Sequence, residues 1–141
     1  MIQKEIEQIL EDHKIIAIVG LSRDTEKDSY RVGAYLKKHG FQIIPINPLA
    51  EEILGEKSYK SLLDVPVEIQ REIDIIDIFR RSEDVPPIVE QAIALKAKHG
   101  KPNVVWMQLG ITNEKAAKAA ERAGLTVIMN KCVMIEHSHL S

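Results

Sequence analysis

Ile15-Ile16-Ala17-Ile18-Val19-Gly20-Leu21-Ser22-Arg23-Asp24-Thr25-Glu26-Lys27-Asp28-Ser29 passes from an unbroken apolar segment, through a single glycine, into a polar loop. Five consecutive apolar residues rich in β-branching read as a strand covered on both faces, because a half-exposed strand would alternate with polar residues. From Ser29 to His39 the period changes: Val32, Tyr35 and Leu36 share one helical face, and Gly40 supplies a stop. The segment is therefore a strand-loop-helix unit. Upstream, Ile2, Ile6, Ile9 and Leu10 lie on one face of a first helix.

The same alternation continues downstream. Phe41 to Ile46, Ile73 to Phe79, Val104 to Met107 and Leu125 to Met129 are short, largely β-branched runs that read as further strands. Between them, Ser82 starts a helical pattern through Val85, Ile88, Val89, Ala92 and Ile93, which Gly100 and Pro102 close, with Ser82 as the expected N-cap. Asn113 to Ala123 is an alanine-rich helix ended by Gly124, and a short final helix is expected after Cys132. The stretch from Asn47 to Glu72 is less regular, and residues 67–72 look inserted. Strands alternating with helices predict an α/β fold, a Rossmann-like, three-layer, doubly wound sheet of about five parallel strands with helices on both faces. At 141 residues, one domain over 1–141 is expected.

Composition narrows the function classes. Apolar residues make up 45% and charged residues 28%, with a formal net charge of -2, which gives no bias toward nucleic acid or anionic membrane. No stretch has the uncharged apolar length of a membrane span, and Met1 to Asp12 is charged and amphipathic rather than leader-like. A lone Cys132 rules out an internal disulfide and suits a reducing compartment, so a cytoplasmic location is expected.

Open parallel sheets bind ligands beyond the carboxyl ends of their strands, so the first loop is the place to look. Backbone N–H groups at a helix start attract an anion, and a phosphate is the natural occupant. Gly20 permits close approach, Ser22 and Ser29 offer hydroxyls, and Arg23, Lys27 and Arg31 bring positive charge. The competing reading is a solvated loop in which Asp28 or Ser29 only caps the helix. The dinucleotide fingerprint G-x-G-x-x-G is absent, since Gly33 is the next glycine after Gly20, and Ile46-Asn47-Pro48-Leu49 lacks the usual ribose-binding acid. A Walker A ending is missing too.

Five pieces in order carry a resemblance: Ala17 to Ser22; Ile46-Asn47-Pro48 followed by Ile53-Leu54-Gly55; Phe79-Arg80-Arg81 leading into a proline-containing helix; Trp106 to Ile111; and Asn130-Lys131-Cys132. Through them, nearly the whole chain resembles the single-domain coenzyme A-binding proteins and is similar to the N-terminal Rossmann domain of the succinyl-CoA synthetase alpha subunit. The resemblance implies that Gly20, Leu21, Ser22, Arg23 and the helix start at Ser29, Tyr30, Arg31 and Val32 hold the diphosphate of coenzyme A. It further implies that Pro45, Ile46, Asn47 and Pro48, with Phe79, Arg80 and Arg81, flank the adenosine and its phosphates. The pantetheine arm then runs toward Gln108 and Gly110, with Cys132 near its end. The chain departs from the family's pattern at Leu49, where lysine is frequent, and at Asn130-Lys131, where Asp-Arg is frequent. A chain ending at Ser141 leaves no space for the synthetase's following domain with its phosphorylated histidine, so ligase activity is not expected.

Other reactive residues point to little chemistry. Cys132 reads either as a redox partner for the coenzyme thiol or as a buried small hydrophobe. His137 and His139 with Cys132 and Glu136 form no specific metal spacing, and no metal is expected. His13, His39 and His99 sit at element boundaries. Asp74 and Asp77 project to opposite faces of a strand, a poor pair for acid-base work, although Asp77 lies near the carboxyl end. Trp106 reads as core and Gln108 as a ligand contact. No nucleophile-elbow sequence appears, and no catalytic residues are expected. The expected function is non-catalytic binding of coenzyme A or acyl-CoA. A small NAD(P)-dependent oxidoreductase and a ligand-free protein-interaction domain are the alternatives.

Overall fold

Five apolar segments line up in parallel because each is hydrophobic on both faces and only helical layers on the two sides can cover it. In the computed structural model, which describes residues 1–140, they are β1 (Ile15–Val19), β2 (Gln42–Ile46), β5 (Ile75–Ile78), β6 (Val104–Met107) and β7 (Thr126–Ile128). Their order across the sheet is β2-β1-β5-β6-β7. Ser141, the last residue of the expected 1–141 unit, lies outside the described residues.

Alternate strand residues feed two cores. Ile16, Ile18, Ile43, Ile75, Val104, Trp106 and Ile128 pack with Ile6 and Leu10 of α1 (Gln3–Asp12), Val32 and Leu36 of α2 (Asp28–Lys38) and Val133 of α6 (Val133–Ser138). Ala17, Val19, Ile44, Ile46, Ile76, Ile78, Val105 and Met107 face Val85, Val89, Ala92 and Leu95 of α4 (Val85–His99) and Ala116, Ala117 and Ala120 of α5 (Glu114–Arg122). The fold is thus the expected three-layer Rossmann-like α/β sheet. Winding proceeds from β1 to β2 on one side and from β5 to β7 on the other, so its direction reverses between β1 and β5.

Several local readings change. Ile2 is 63% exposed and precedes α1 rather than packing with Ile6 and Leu10. Ser82 opens a 3-10 turn over Ser82–Asp84 and caps nothing; its Oγ accepts the Thr112 N–H and its carbonyl accepts from Asn113 Nδ2, which ties the two loops together. Asn113 does cap its helix, with Oδ1 accepting the Ala116 N–H at 3.0 Å. The irregular stretch contains a hairpin of β3 (Glu52–Ile53) and β4 (Glu56–Lys57), turned by Leu54 and Gly55, both with positive φ. The 67–72 stretch holds α3 (Val67–Gln70), and Gln70 Oε1 meets His99 Nε2 at 3.1 Å. His99 ends α4, so this stretch lies toward the amino ends of the strands, away from their carboxyl ends.

That opposite edge has its own polar tie. Asp74, just before β5, accepts the N–H groups of Lys14 and Ile15 at 3.1 Å each and pairs with Lys101 at 2.7 Å. Burial raises its carboxyl, but the Lys101 hydrogen bond and the two backbone donors together bring it below the ordinary value.

Candidate functional site

Gly20 leaves β1 with φ +89°, and its N–H donates to the Ile46 carbonyl of β2 at 2.9 Å. A Cβ at this position would stand 2.5 Å from the Phe79 carbonyl oxygen and 3.1 Å from Arg80 Cδ. Only a glycine lets the first loop lie this close to the end of β5. The carboxyl ends of β1 and β5, where the winding reverses, therefore meet directly, with the stem of Arg80 across the junction.

The loop that follows is ordered by its own side chains. Ser29 Oγ accepts the Ser22 N–H at 2.9 Å, and Ser22 Oγ accepts the Asp24 N–H at 2.9 Å. Ser29 is buried, so its hydroxyl holds the loop from below. Asn47, at the end of β2, donates from Nδ2 to the Leu21 carbonyl at 3.0 Å and accepts the Leu49 N–H at 2.7 Å. No side chain caps the start of α2, whose first turn opens beside this loop. Gly33 brings the helix close as well, since a Cβ there would reach Leu21 Cδ1 at 2.9 Å.

One hollow borders the junction at Phe79, and a second lies beyond the carboxyl end of β2. One, of about 310 Å³, is walled by Asp28, Arg31, Val32, Phe79, Gln108, Leu109, Cys132, Met134 and Ile135. The other, open and about 680 Å³, runs from Pro48 to Ser58 and Lys60 along the β3-β4 hairpin, where Leu49 is 82% exposed. The first hollow gathers residues far apart in sequence because Trp106 Nε1 donates to the Lys131 carbonyl at 2.8 Å and Asn130 Oδ1 accepts the Gly110 N–H at 2.6 Å. These bonds hold the turn before α6 against the end of β6 and bring half-buried Cys132 to the wall beside Gln108.

Not every residue singled out by sequence is in position. Pro45 and Ile46 are buried within β2, so at this edge the second strand offers Asn47 and Pro48. Arg31 is bound to the Asp28 carboxylate and to the Glu26 carbonyl, and its charge is partly answered there. Arg81 is 77% exposed and is held by Asp84 at 3.0 Å and Glu83 at 3.8 Å, while Arg80 reaches Asp84 at 3.8 Å. Arg23 and Lys27 are exposed on the loop, Tyr30 is half-buried, Val32 lies in the core and also lines the smaller hollow, and Gly110 is an exposed turn. His137 is engaged with Tyr35, whose hydroxyl lies 2.8 Å from Nδ1. Among the described residues, no three His, Cys, Asp or Glu side chains gather as metal ligands.

Sequence reading missed Leu109, Met134 and Ile135 on the wall; Asp77, which the sequence placed near the carboxyl end where it could face a ligand, lies buried beneath that wall instead. Leu109 is 65% and Ile135 44% exposed, apolar side chains at the rim of a polar site. A signal for Met134 and Ile135 was present in their position just after Cys132. Asp77 is fully buried: Gln108 Nε2 donates to its Oδ1 at 2.5 Å, and its Oδ2 has no partner. Burial pushes its carboxyl up to about 7 against the pull of the Gln108 hydrogen bond.

Residues 14–138 match the profile of the CoA binding domain family. The chain belongs to this family. As a CoA-binding domain it is 39% identical to the uncharacterized protein YneT of Bacillus subtilis, over 95% of this chain and 93% of that protein. It is 30% identical to an ADP-forming acetate-CoA ligase of Methanocaldococcus jannaschii over 91% of this chain, but it spans only 18% of that enzyme. In three dimensions this CoA-binding domain is similar to a hypothetical protein from Pyrococcus horikoshii, with a TM-score of 0.89 and 38% identity over 99% of this chain and 92% of that one. No helix among the described residues is long and apolar enough to cross a membrane.

Proposed function

We propose that this domain, acting as one unit over residues 1–141, binds coenzyme A or an acyl-CoA without catalysing a reaction on it. The diphosphate sits on the Gly20–Ser22 loop before the uncapped start of α2, and the adenosine end lies toward Asn47, Pro48 and Arg80. The pantetheine arm enters the hollow beside Gln108 and ends near Cys132. One observation carries the reading: the missing side chain at Gly20 lets the first loop lie against the end of β5 at the reversal of winding, beside the uncapped start of α2, the place where open parallel sheets take anions. Arg23 supplies charge at the loop, since the whole chain, with its net charge of -2, attracts no anion at long range. On the wall of the hollow Asp28 and Arg31 pair with each other and Gln108 is held by Asp77, so no acid, base and nucleophile stand together there, which supports binding rather than catalysis.

Calorimetry against coenzyme A, dephospho-coenzyme A, NAD and ATP tests this. Coenzyme A is expected to bind tightest. Preference for NAD would move the chain to the oxidoreductase alternative, and heat from none of the four would leave an interaction domain. Arg23→Ala is expected to lose about 10- to 150-fold in affinity, the effect of one charged hydrogen bond of roughly 1.5–3 kcal/mol, with no change in fold. Equal affinity in that variant would remove Arg23 from the site.

A further inference from the structure

Asp77 lies on the same sheet face as Ile18 of β1 and Trp106 of β6, its neighbours in register, with no water-facing surface. A carboxyl group in such a place is unexpected unless it holds something. What it holds is Gln108, two residues beyond Trp106 on the same face and part of the wall that faces the smaller hollow. A primary amide has a donor end and an acceptor end. With Nε2 committed inward to Asp77, Oε1 is the end left for the hollow.

We infer that Asp77 is a positioning residue: it sets which end of the Gln108 amide the hollow presents, and so whether the arm of the ligand meets a hydrogen-bond acceptor or a donor. The inference rests on the coenzyme reading above and deepens it. An ionised Asp77 can only accept, so it fixes Nε2 inward and offers Oε1 to an amide N–H of the arm. A protonated Asp77 carries a hydroxyl that can donate to Oε1, which lets the amide turn over and offer its NH2 to a carbonyl. Burial lifts the carboxyl to about 7 against the Gln108 bond, so both forms are present near neutral pH.

The surrounding elements add few competing charges. β1 and β6 present Ile18 and Trp106, and α1 brings Ile6 and Leu10 to the same layer. From α2, Asp28 and Arg31 line the hollow and pair with each other, and Lys131 meets Trp106 through its backbone carbonyl. From α6, His137 is turned to Tyr35, and Glu136 is the other buried carboxylate with an unpartnered oxygen.

Calorimetry at pH about 6 and about 8 on the wild type and on Asp77→Asn separates these groups, because the titration of each ligand cancels in the ratio of the two dissociation constants. For coenzyme A that ratio is expected to change by about threefold or more between the two pH values, the size of a modest hydrogen bond, and to stay constant for ADP, which lacks the arm. A constant ratio for coenzyme A, with the wild type still binding it, overturns the role of Asp77 and leaves the coenzyme reading standing. Failure of the wild type to bind coenzyme A at either pH sinks that reading and this inference with it. Glu136→Gln is expected to keep the wild-type profile, and abolition of the profile there would transfer the role to Glu136. Should Asp77→Asn not fold, the 13C carboxyl signal of Asp77 in the wild type gives the same decision: its titration midpoint is expected to move when coenzyme A is added and not when ADP is added, and an unmoved midpoint overturns the assignment.

Discussion

Gly20 shows how a single position ties fold to site. Its φ of +89° is a conformation that costs an L side chain about 1–2 kcal/mol, and its absent Cβ would meet the Phe79 carbonyl at 2.5 Å. Because that contact is with backbone, relief requires moving the loop or the end of β5. Gly20→Ala is therefore expected to lose roughly 2–4 kcal/mol in urea unfolding and most of its coenzyme affinity together. Wild-type stability and affinity in this variant would refute the close approach. Gly33→Ala is expected to cost less, since its nearest neighbour at 2.9 Å is the flexible end of Leu21. The importance of Gly20 was legible in sequence, as the one glycine in the first strand-to-helix loop. Its partner was not, because Phe79 belongs to a strand distant in the chain, and the same distance hid the bond between Asp77 and Gln108.

Among elements, α6 is attached through a histidine whose protonation is shifted by its surroundings. His137 accepts or donates to Tyr35 of α2, packs edge-on against Phe41 with ring centroids 5.3 Å apart, and lies 5.4 Å from His39. Burial, and then the charges of His39 and Lys14, hold His137 below its ordinary value of 6.5. The folded state thus binds fewer protons here than the unfolded chain does, so this contribution to stability is present above about 6.5 and is lost as pH falls through the lower folded value. The melting temperature is expected to fall between pH about 7.5 and about 5.5 more steeply in the wild type than in His137→Gln, which keeps a partner for Tyr35 but does not titrate. Amide exchange should rise first in α6, whose Cys132-Met134-Ile135 end walls the hollow, and identical pH profiles in the two proteins would count against the coupling. Long elements were legible because their apolar period persists over several turns or a whole strand. The β3-β4 hairpin was not, since two-residue strands have no period to read, and Ser82 resembles a cap in sequence because its tie to Thr112 crosses to another loop.

For the molecule as a whole, alternation of strands and helices gave the layers in advance, but the order β2-β1-β5-β6-β7 rests on which strands pair, and pairing leaves little trace in a chain whose strands are all largely apolar. That order is what makes the ends of β1 and β5 neighbours and places Arg80, Asn47 and Gln108 around one loop. A ligand lying across this edge bridges both halves of the sheet, together with α2 and α6, and binds only when all of them are assembled. Coenzyme A at about 100 times its dissociation constant should then add roughly 2.7 kcal/mol to global stability, equivalent to a rise of about 6–11 °C in melting temperature for a domain of this size. Protection from proteolysis should extend over both the β1-α2 loop and the β7-α6 turn, because in the proposed pose one ligand touches each. If only the β1-α2 loop were protected, the diphosphate would be held there while the arm lay in solvent, and the hollow lined by Gln108 and Cys132 would have no part in binding.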